Sequence, residues 1–438
     1  MKLQQLNLII IAFAIIYSCS SNDDESGTPQ DSPESSKPNI LLIIADDMGL
    51  DATPGYNVGF TKPNMPTLQG MMNSGLRFDN LWSNPVCTPT RGTILTGKYG
   101  FRTNVLQVDD DMSTSEISLQ RHLDNTNTGY SHAVIGKWHL SNDTNHPTNM
   151  GVGYYAGILN GGVQSYTNWN LTENGTTSNS NEYTTSKFTD LAIDWVEQQN
   201  QPWFLWLAYN APHTPFHLPP TDLHSQGNLP IDQASIDANP LPYYMAMLEA
   251  MDTEIGRLIN SMSEEEKDNT VIIFIGDNGT PGQVVQEYAS QRAKGSVYQG
   301  GVNVPIIISG KDVMRINDNE DALISTADLF ATISELAGNS LPEINDSKSF
   351  KDLLMSSNVD TRDYTYTEIG TDDGTSNYTI RNATHKYISF SNGNEALFNL
   401  SNNPLEGPNL LNANQLPLIA ENSTIKDELI AELNAIRN

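Results

Sequence analysis

The chain runs to 438 residues, enough to bury a large core in one big domain with an appendage or in two ordinary domains. Its 52 acidic residues outnumber 23 basic ones, a formal charge of -29, which argues against the basic face that a nucleic-acid partner requires. A polyanionic ligand must therefore be met locally, by a few cations or a metal ion focused in one cleft.

Met1-Lys2 and the apolar run from Leu8 to Tyr17 read as a signal peptide, since the run is too short for a comfortable bilayer span. Ile16-Tyr17-Ser18-Cys19 has the form of a bacterial lipobox, whose cysteine becomes the lipidated first residue; an ordinary signal peptide with an incidental cysteine is the alternative. Residues 1–19 are assigned to this signal and residues 20–37, rich in Ser, Pro, Asp and Glu without an apolar period, to a disordered tether. The expected location is outside the cytoplasm, with a lipid anchor on Cys19 holding the protein to the membrane at the bacterial surface or facing the periplasm. Cys19 and Cys87 are the two cysteines, so processing at Cys19 leaves Cys87 as a single thiol in an exported protein.

Asn39 to Ala45 is a short continuous apolar run ending in Asp46-Asp47, the pattern of a buried parallel strand. Similar runs recur at Ala133-Val134-Ile135, Trp203 to Tyr209, Val271 to Ile275 and Val304 to Ile308. Between them Phe188, Leu191, Ala192, Trp195 and Val196 keep one helical face apolar, as do Tyr244, Met247, Leu248, Met251, Ile255, Leu258 and Ile259. This alternation predicts an α/β fold, a large mixed but mainly parallel sheet sandwiched by helices, over residues 38–350. After the helix from Asp328 to Ala337 the character changes, and residues 351–438 read as a smaller C-terminal α+β subdomain with an antiparallel sheet. Its strands are expected at Tyr364 to Ile369, Tyr378 to Arg381, Lys386 to Phe390 and Ala396 to Leu400, with a turn at Ser391 to Asn394. A last helix starts with Ser423 as its expected N-cap and turns Leu429, Ile430, Leu433 and Ile436 inward.

In open α/β sheets ligands sit beyond the carboxyl ends of the strands. The first four apolar runs lead, in turn, into Asp46-Asp47, Gly136-Lys137-Trp138-His139, Asn210-Ala211-Pro212-His213 and Gly276-Asp277-Asn278-Gly279. Asp46, Asp47, Asp277 and Asn278 offer oxygen donors alone, which suits a hard cation such as calcium, whereas zinc favours nitrogen and sulfur. Taken singly, each acid could equally cap a helix or face solvent. Cys87-Thr88-Pro89-Thr90-Arg91-Gly92 places a proline where a helix begins, with N–H groups that favour an anion beside residue 87. A lone cysteine there is commonly a small buried hydrophobe.

The segment Cys87-Thr88-Pro89-Thr90-Arg91 resembles the C-x-P-x-R signature of the type I, formylglycine-dependent sulfatases of the alkaline-phosphatase superfamily. It is accompanied in order by Ala45-Asp46-Asp47-Met48-Gly49, Thr96-Gly97-Lys98-Tyr99-Gly100, Gly136-Lys137-Trp138-His139, Pro212-His213-Thr214-Pro215, Asp277-Asn278-Gly279 and Lys294-Gly295, while Glu395 to Leu400 with Asn403-Pro404 and Glu406 looks like the family's C-terminal subdomain. The resemblance implies an alkaline-phosphatase-like fold and hydrolysis of sulfate esters. It implies that a maturation enzyme oxidises Cys87 to formylglycine, whose hydrate attacks sulfur with Ca2+ assistance and later expels the sulfate as the carbonyl reforms. By motif, Asp46, Asp47, residue 87, Asp277 and Asn278 would ligate calcium, Arg91 would orient the diol, and Lys137 and Lys294 would hold sulfate oxygens. His139 would be the base for breakdown of the sulfated enzyme, and His213 the acid on the leaving oxygen, a role Lys294 could share. A surface-tethered enzyme of this kind is expected to act on sulfated oligosaccharides from a polysaccharide, in preference to aryl or steroid sulfates. The competing readings are a phosphonate monoester or phosphodiester hydrolase of the same superfamily and a non-catalytic surface glycan-binding protein. Arg102, Asp143, His217, Tyr288 and Arg292 lie near the motifs but are as readily explained by structural pairing.

Overall fold

Continuous apolar runs form the centre of the sheet. The computed structural model describes residues 37–357 and 359–438, so the signal peptide, Cys19 and all of the tether except Lys37 lie outside the described residues. The large sheet contains β1 (Asn39–Ala45), β2 (Gly75–Trp82), β3 (Ser131–Lys137), β4 (Tyr154–Ile158), β5 (Trp169–Glu173), β6 (Thr176–Ser180), β7 (Trp203–Ala208), β8 (Thr270–Gly276), β9 (Asn303–Gly310), β10 (Asp318–Glu320) and β11 (Ile324–Ser325). Their order is β10-β2-β9-β8-β1-β7-β3-β4-β5-β6, with β11 also paired to β2. The pairs β3-β7, β7-β1 and β1-β8 are parallel, whereas β9 runs antiparallel to both β8 and β2, so the sheet is mixed and mainly parallel, as expected.

Every residue of β1 is buried, and its side chains alternate between two cores. Leu41, Ile43 and Ala45 join the cluster under the helices Pro66–Asn73, Thr184–Val196 and Leu241–Ser261; Ile40, Leu42 and Ile44 join the one under Cys87–Thr96, Leu119–Asn125 and Asp328–Leu336. Burying each such aliphatic side chain on both faces stabilises the layer by about 1.5 to 3 kcal/mol, which is why β1 contains no polar residue between Asn39 and Asp46.

Because β3, β7, β1 and β8 are mutually parallel neighbours, their carboxyl ends fall side by side along one edge. The backbone locks those ends together: Asp46 N donates to Ala211 O at 3.1 Å, and Asp277 N to Ala45 O at 3.1 Å. Two reversals of direction, through β9, bring β2 into the same sense, so the loop after Trp82 also emerges at this edge and leads into the helix beginning at Cys87.

The small strand pair β12 (Glu343–Ile344) and β13 (Ser347–Lys348) precedes the second sheet, an antiparallel meander of β14 (Thr365–Gly370), β15 (Ser376–Arg381), β16 (His385–Ser389) and β17 (Glu395–Asn399). The helix Ala420–Arg437 covers one face with Leu429 and Leu433 buried and Ile430 and Ile436 partly so. It starts earlier than Ser423: its N-cap is Ile419, whose side chain makes no capping bond, and Ser423 N already donates to Ile419 O. The expectation that Ser423 caps it is therefore wrong, because the turn Ala420-Glu421-Asn422 continues the helix backwards. The other face of the meander rests on Val297 and Tyr298.

Candidate active site

Cys87 is the first residue of the helix Cys87–Thr96, after an extended Val86, and is buried. Thr90 Oγ1 donates to Asn84 O and accepts from Asn84 N, folding the preceding loop back on the first turn. Around Cys87 the strand ends supply the groups expected of them. Lys137 Nζ lies 2.6 Å from Asp46 Oδ2, Arg91 Nη2 lies 2.8 Å from Asp277 Oδ2, and Arg91 Nη1 donates to Lys137 O at 2.7 Å. Asp47, in a left-handed conformation with φ of 72°, accepts from Asn278 Nδ2 at 2.8 Å and pairs with Lys294 Nζ at 2.6 Å. His213 Nε2 is 3.9 Å from Asp47 Oδ2. The expected positions Asp46, Asp47, Cys87, Arg91, Lys137, His139, His213, Asp277, Asn278 and Lys294, with the loop of Asn210, thus meet at one edge of the sheet. The lysines expected on an anion, Lys137 and Lys294, here rest on Asp46 and Asp47.

Three carboxylates and three permanent cations share this buried space, and the acids respond unequally. Burial alone would raise Asp46, but Lys137, His213, Arg91 and Lys294 together hold it well below the usual carboxylate range. Asp277 is pushed up to about 7 by burial and by the charge of Asp46 beside it, against the pull of Arg91. Burial also raises the Cys87 thiol, so in this state the sulfur is protonated and a poor nucleophile.

Whether a calcium ion suits these residues can be judged from their unused atoms. Asp46 Oδ1 and Asn278 Oδ1 are buried without a hydrogen-bond partner, and such atoms are costly unless a ligand meets them. Ligand atoms of Asp46, Cys87 and Asp277 lie within 4.8 Å of one another. A hard, oxygen-rich donor set with two orphaned oxygens fits a divalent cation of the calcium type.

His139 has φ of 56° and sits 4 % exposed against Cys87, with Nδ1 3.2 Å from Sγ. Burial, reinforced by Lys137 and Arg91, pushes it down to about 2, so the ring is neutral and has one N–H to give. Its Nε2 lies 2.7 Å from Asp109 Oδ1. A carboxylate can only accept, so the proton resides on Nε2 and the Nδ1 lone pair faces residue 87.

Asp109 is the site residue that the sequence did not announce. It lies in a loop rather than at a strand end, with φ of 66°, and its N–H donates to Thr88 Oγ1 at 3.2 Å. Tyr244 and Tyr166, one read as core and the other unassigned, also serve the site: Tyr244 OH donates to Asp47 O, and Tyr166 OH lies within 2.8 Å of both Asn210 O and His213 O. The residues left as structural pairing behave so: Arg102 pairs with Asp346, Arg292 Nη1 donates to Glu406 O, and Tyr288 is buried. His217 meets Tyr183 OH, and Asp143 Oδ1 caps Asn145 N.

A family profile described as "Sulfatase" matches residues 38–339, and one described as "N-sulphoglucosamine sulphohydrolase, C-terminal" matches residues 291–437. Among curated proteins the chain is similar to the uncharacterized sulfatase YdeN of Escherichia coli strain K12, 27 % identical over 374 residues, covering 72 % of this chain and 65 % of that one. It is likewise 27 % identical to arylsulfatase G of Rattus norvegicus over 367 residues, covering 70 % of this chain and 66 % of the relative. The chain thus spans about two thirds of the length of these curated relatives. Among solved structures, Ps i-CgsB in complex with k-i-k-neocarrahexaose superposes with a TM-score of 0.77 at 24 % identity, covering 90 % of this chain and 92 % of that one. BT4656 in complex with its substrate D-glucosamine-2-N,6-O-disulfate gives 0.76 at 20 %, covering 91 % and 97 %. At such identities these two likenesses establish the fold.

Proposed function

The chain belongs to the sulfatase family, and from that membership we propose that it is a sulfuric ester hydrolase acting on sulfated oligosaccharides, with residue 87 as nucleophile after oxidation of Cys87 to formylglycine by a maturation enzyme. The observation that carries the proposal is the position of residue 87: it heads a buried helix, 3.2 Å from the free Nδ1 of His139, inside a ring of Asp46, Asp277, Arg91 and Lys137. Two structural neighbours solved with saccharides, k-i-k-neocarrahexaose in one and D-glucosamine-2-N,6-O-disulfate in the other, favour a carbohydrate ester.

Asp46, Asp47, Asp277 and Asn278, with residue 87, would hold calcium, which supplies a fixed positive charge to sulfate oxygens. Formylglycine supplies, as its hydrate, an oxygen nucleophile and a second hydroxyl whose deprotonation releases the sulfate. The chain's own groups do the rest. Arg91, fixed by Asp277 and Lys137 O, would orient the side chain of residue 87. Lys137 and Lys294, which rest on Asp46 and Asp47, would hold the oxygens of an arriving sulfate. His139 Nδ1 is placed to take a proton from residue 87, and His213, at the rim, to give one to the departing alcohol oxygen. We further propose that the chain is exported and tethered through a lipid on Cys19, a reading that replacement of Cys19 by Ala tests by the loss of membrane attachment.

The deciding experiment is peptide mass spectrometry of residue 87 in protein co-produced with a maturation enzyme, alongside turnover of an aryl sulfate and a phosphate diester with and without chelator. Thiol-to-aldehyde conversion with chelator-sensitive sulfate release is the expected result. Preference for the diester would move the assignment to a phosphodiester hydrolase, and absence of both conversion and turnover would overturn it.

A further inference from the structure

The strand β4 and the hairpin β5-β6 border a groove of about 510 Å³ whose lining begins where the active site ends. That volume lies within the range of about 300 to 1,000 Å³ usual for small-ligand sites. The connection is direct. His139 N donates to Leu159 O at 3.0 Å, a Cβ on Gly161 would stand 2.6 Å from His139 Cε1, and one on Gly162 would stand 3.2 Å from the His213 ring. Leu159 and Gly162 both line the groove, and Tyr166 ties the same loop to the backbone of Asn210 and His213. The groove is therefore held in fixed relation to His213, the group facing the leaving alcohol.

Its chemistry differs sharply from that of the site it adjoins. Asn142, Asn160, Gln164, Asn168 and Asn170 line it with amides, Trp169 and Leu159 add apolar surface, and no Lys, Arg, Asp or Glu is among its lining residues. The side chains of Asn142, Asn160, Gln164, Asn168 and Asn170 accept or donate no hydrogen bond within the described structure and are exposed. An amide offers a donor and an acceptor at one point, which matches a sugar hydroxyl, itself both. A sulfated unit seated here would lose water with no cation to compensate, in the field of a chain whose formal charge is -29.

Resting on the sulfatase reading above, we propose that this groove is a subsite for an uncharged sugar unit on the leaving-group side, so that the enzyme acts on chains in which a sulfated residue is flanked by an unsulfated one. The sulfate pocket supplies every charge contact; the groove supplies hydroxyl recognition and rejects a second sulfate.

The test uses the full chain and the variant Asn160→Ala/Gln164→Ala/Asn168→Ala, all exposed positions without internal bonds. Calorimetric titration with unsulfated hexasaccharides of a galactan, a fucan and a xylan is compared with the fully sulfated galactan hexasaccharide. At least one neutral hexasaccharide is expected to bind, and the variant to weaken it roughly tenfold or more, since several neutral hydrogen bonds are lost. Aryl sulfate turnover, which needs only the sulfate pocket, should be unchanged. The proposal is overturned if no neutral hexasaccharide binds, if the variant binds it as well as the parent, or if the variant weakens the sulfated hexasaccharide as much as the neutral one. Aryl sulfate turnover without neutral-sugar binding would sink the groove and leave the sulfatase reading standing; variant-sensitive neutral binding without any turnover would do the reverse.

Discussion

Asp109 shows how a single exposed carboxylate can fix the tautomer of a buried histidine. Its side chain is 70 % exposed, yet one oxygen meets His139 Nε2 at 2.7 Å, and that contact fixes which ring nitrogen keeps the proton. Without Asp109, Nε2 retains only Thr88 Oγ1 at 3.2 Å, a hydroxyl that can donate as well as accept, so either tautomer becomes accessible. In the proposed mechanism Asp109 is thus a positioning residue, acting through His139. The expected outcome for Asp109→Ala is a fall in kcat of roughly 10- to 100-fold, part of the 10²- to 10⁴-fold that a general base contributes, with KM nearly unchanged. Asp109→Asn, whose amide oxygen can still accept from Nε2–H, should recover most of the loss, whereas a purely structural role would show as reduced thermal stability in both variants. The residue was invisible in the sequence for a physical reason: strand ends announce themselves by a continuous apolar run, and the stretch before Asp109, Val105-Leu106-Gln107-Val108, is broken by Gln107 and forms no strand. Thr88 and Asp109 are linked only through space, across a separation of 21 positions.

At the level of elements, the strand ends could be read because strands buried on both faces need an apolar run, and β1, β3, β7, β8 and β9 each contain one, in β3 only the three residues Ala133-Val134-Ile135. β2, with Arg77, Asp79 and Asn80 among its residues, and the polar hairpin β5-β6 carry no such signature and do not stand out in the sequence. Nor does an apolar run reveal direction, so the antiparallel course of β9 became visible only with its partners in place. Two glycines set the geometry at the end of β3 that presents Lys137 and His139. Gly136 has φ of 106°, and a Cβ there would stand 1.9 Å from Ala208 O on β7; a Cβ on Gly157 of β4 would stand 1.7 Å from Gly136 O. Both contacts are with backbone, which cannot swing aside. Gly136→Ala should cost at least the roughly 1 to 3 kcal/mol of a strained backbone conformation, read as a lower denaturant midpoint, and any folded fraction should lose activity because Lys137 and His139 shift. A variant as stable and active as the parent would show that β3 and β7 can part without cost, contrary to this account.

Across the whole molecule, the C-terminal meander is fastened to the loop that leads into Cys87, since Thr367 Oγ1 donates to Ser83 O and Asn84 Nδ2 to Glu368 O. The seam also contains a fully buried ion pair, Lys386 Nζ to Glu406 Oε1 at 2.6 Å, with the lysine 4.8 Å above the Trp82 ring. Burial pushes Lys386 down to about 8 despite the attraction of Glu406, against 10.5 for the free side chain. Between those values the unfolded chain binds more protons than the folded one, so stability should rise with pH through that window and fall back as pH drops through about 8. Lys386→Met alone should cost about 3 to 5 kcal/mol by stranding Glu406, while Lys386→Met/Glu406→Met should regain most of it and lose this pH dependence in denaturant titrations. The molecule's overall charge acts in the opposite sense to its site. In the proposed mechanism Arg91, Lys137 and Lys294 attract an anion at contact distance, where salt screens little, whereas the formal charge of -29 repels it over tens of ångströms, where salt screens strongly. Raising ionic strength from about 0.01 to about 0.1 M shortens the screening length from about 30 to about 10 Å and should therefore raise kcat/KM, more steeply for an oligosaccharide bearing several sulfates than for one bearing a single sulfate. Steady-state rates for the two substrates across that range decide it. A decrease with salt would mean that the cations of the cleft steer the substrate from afar and that the acidic surface lies turned away from its approach.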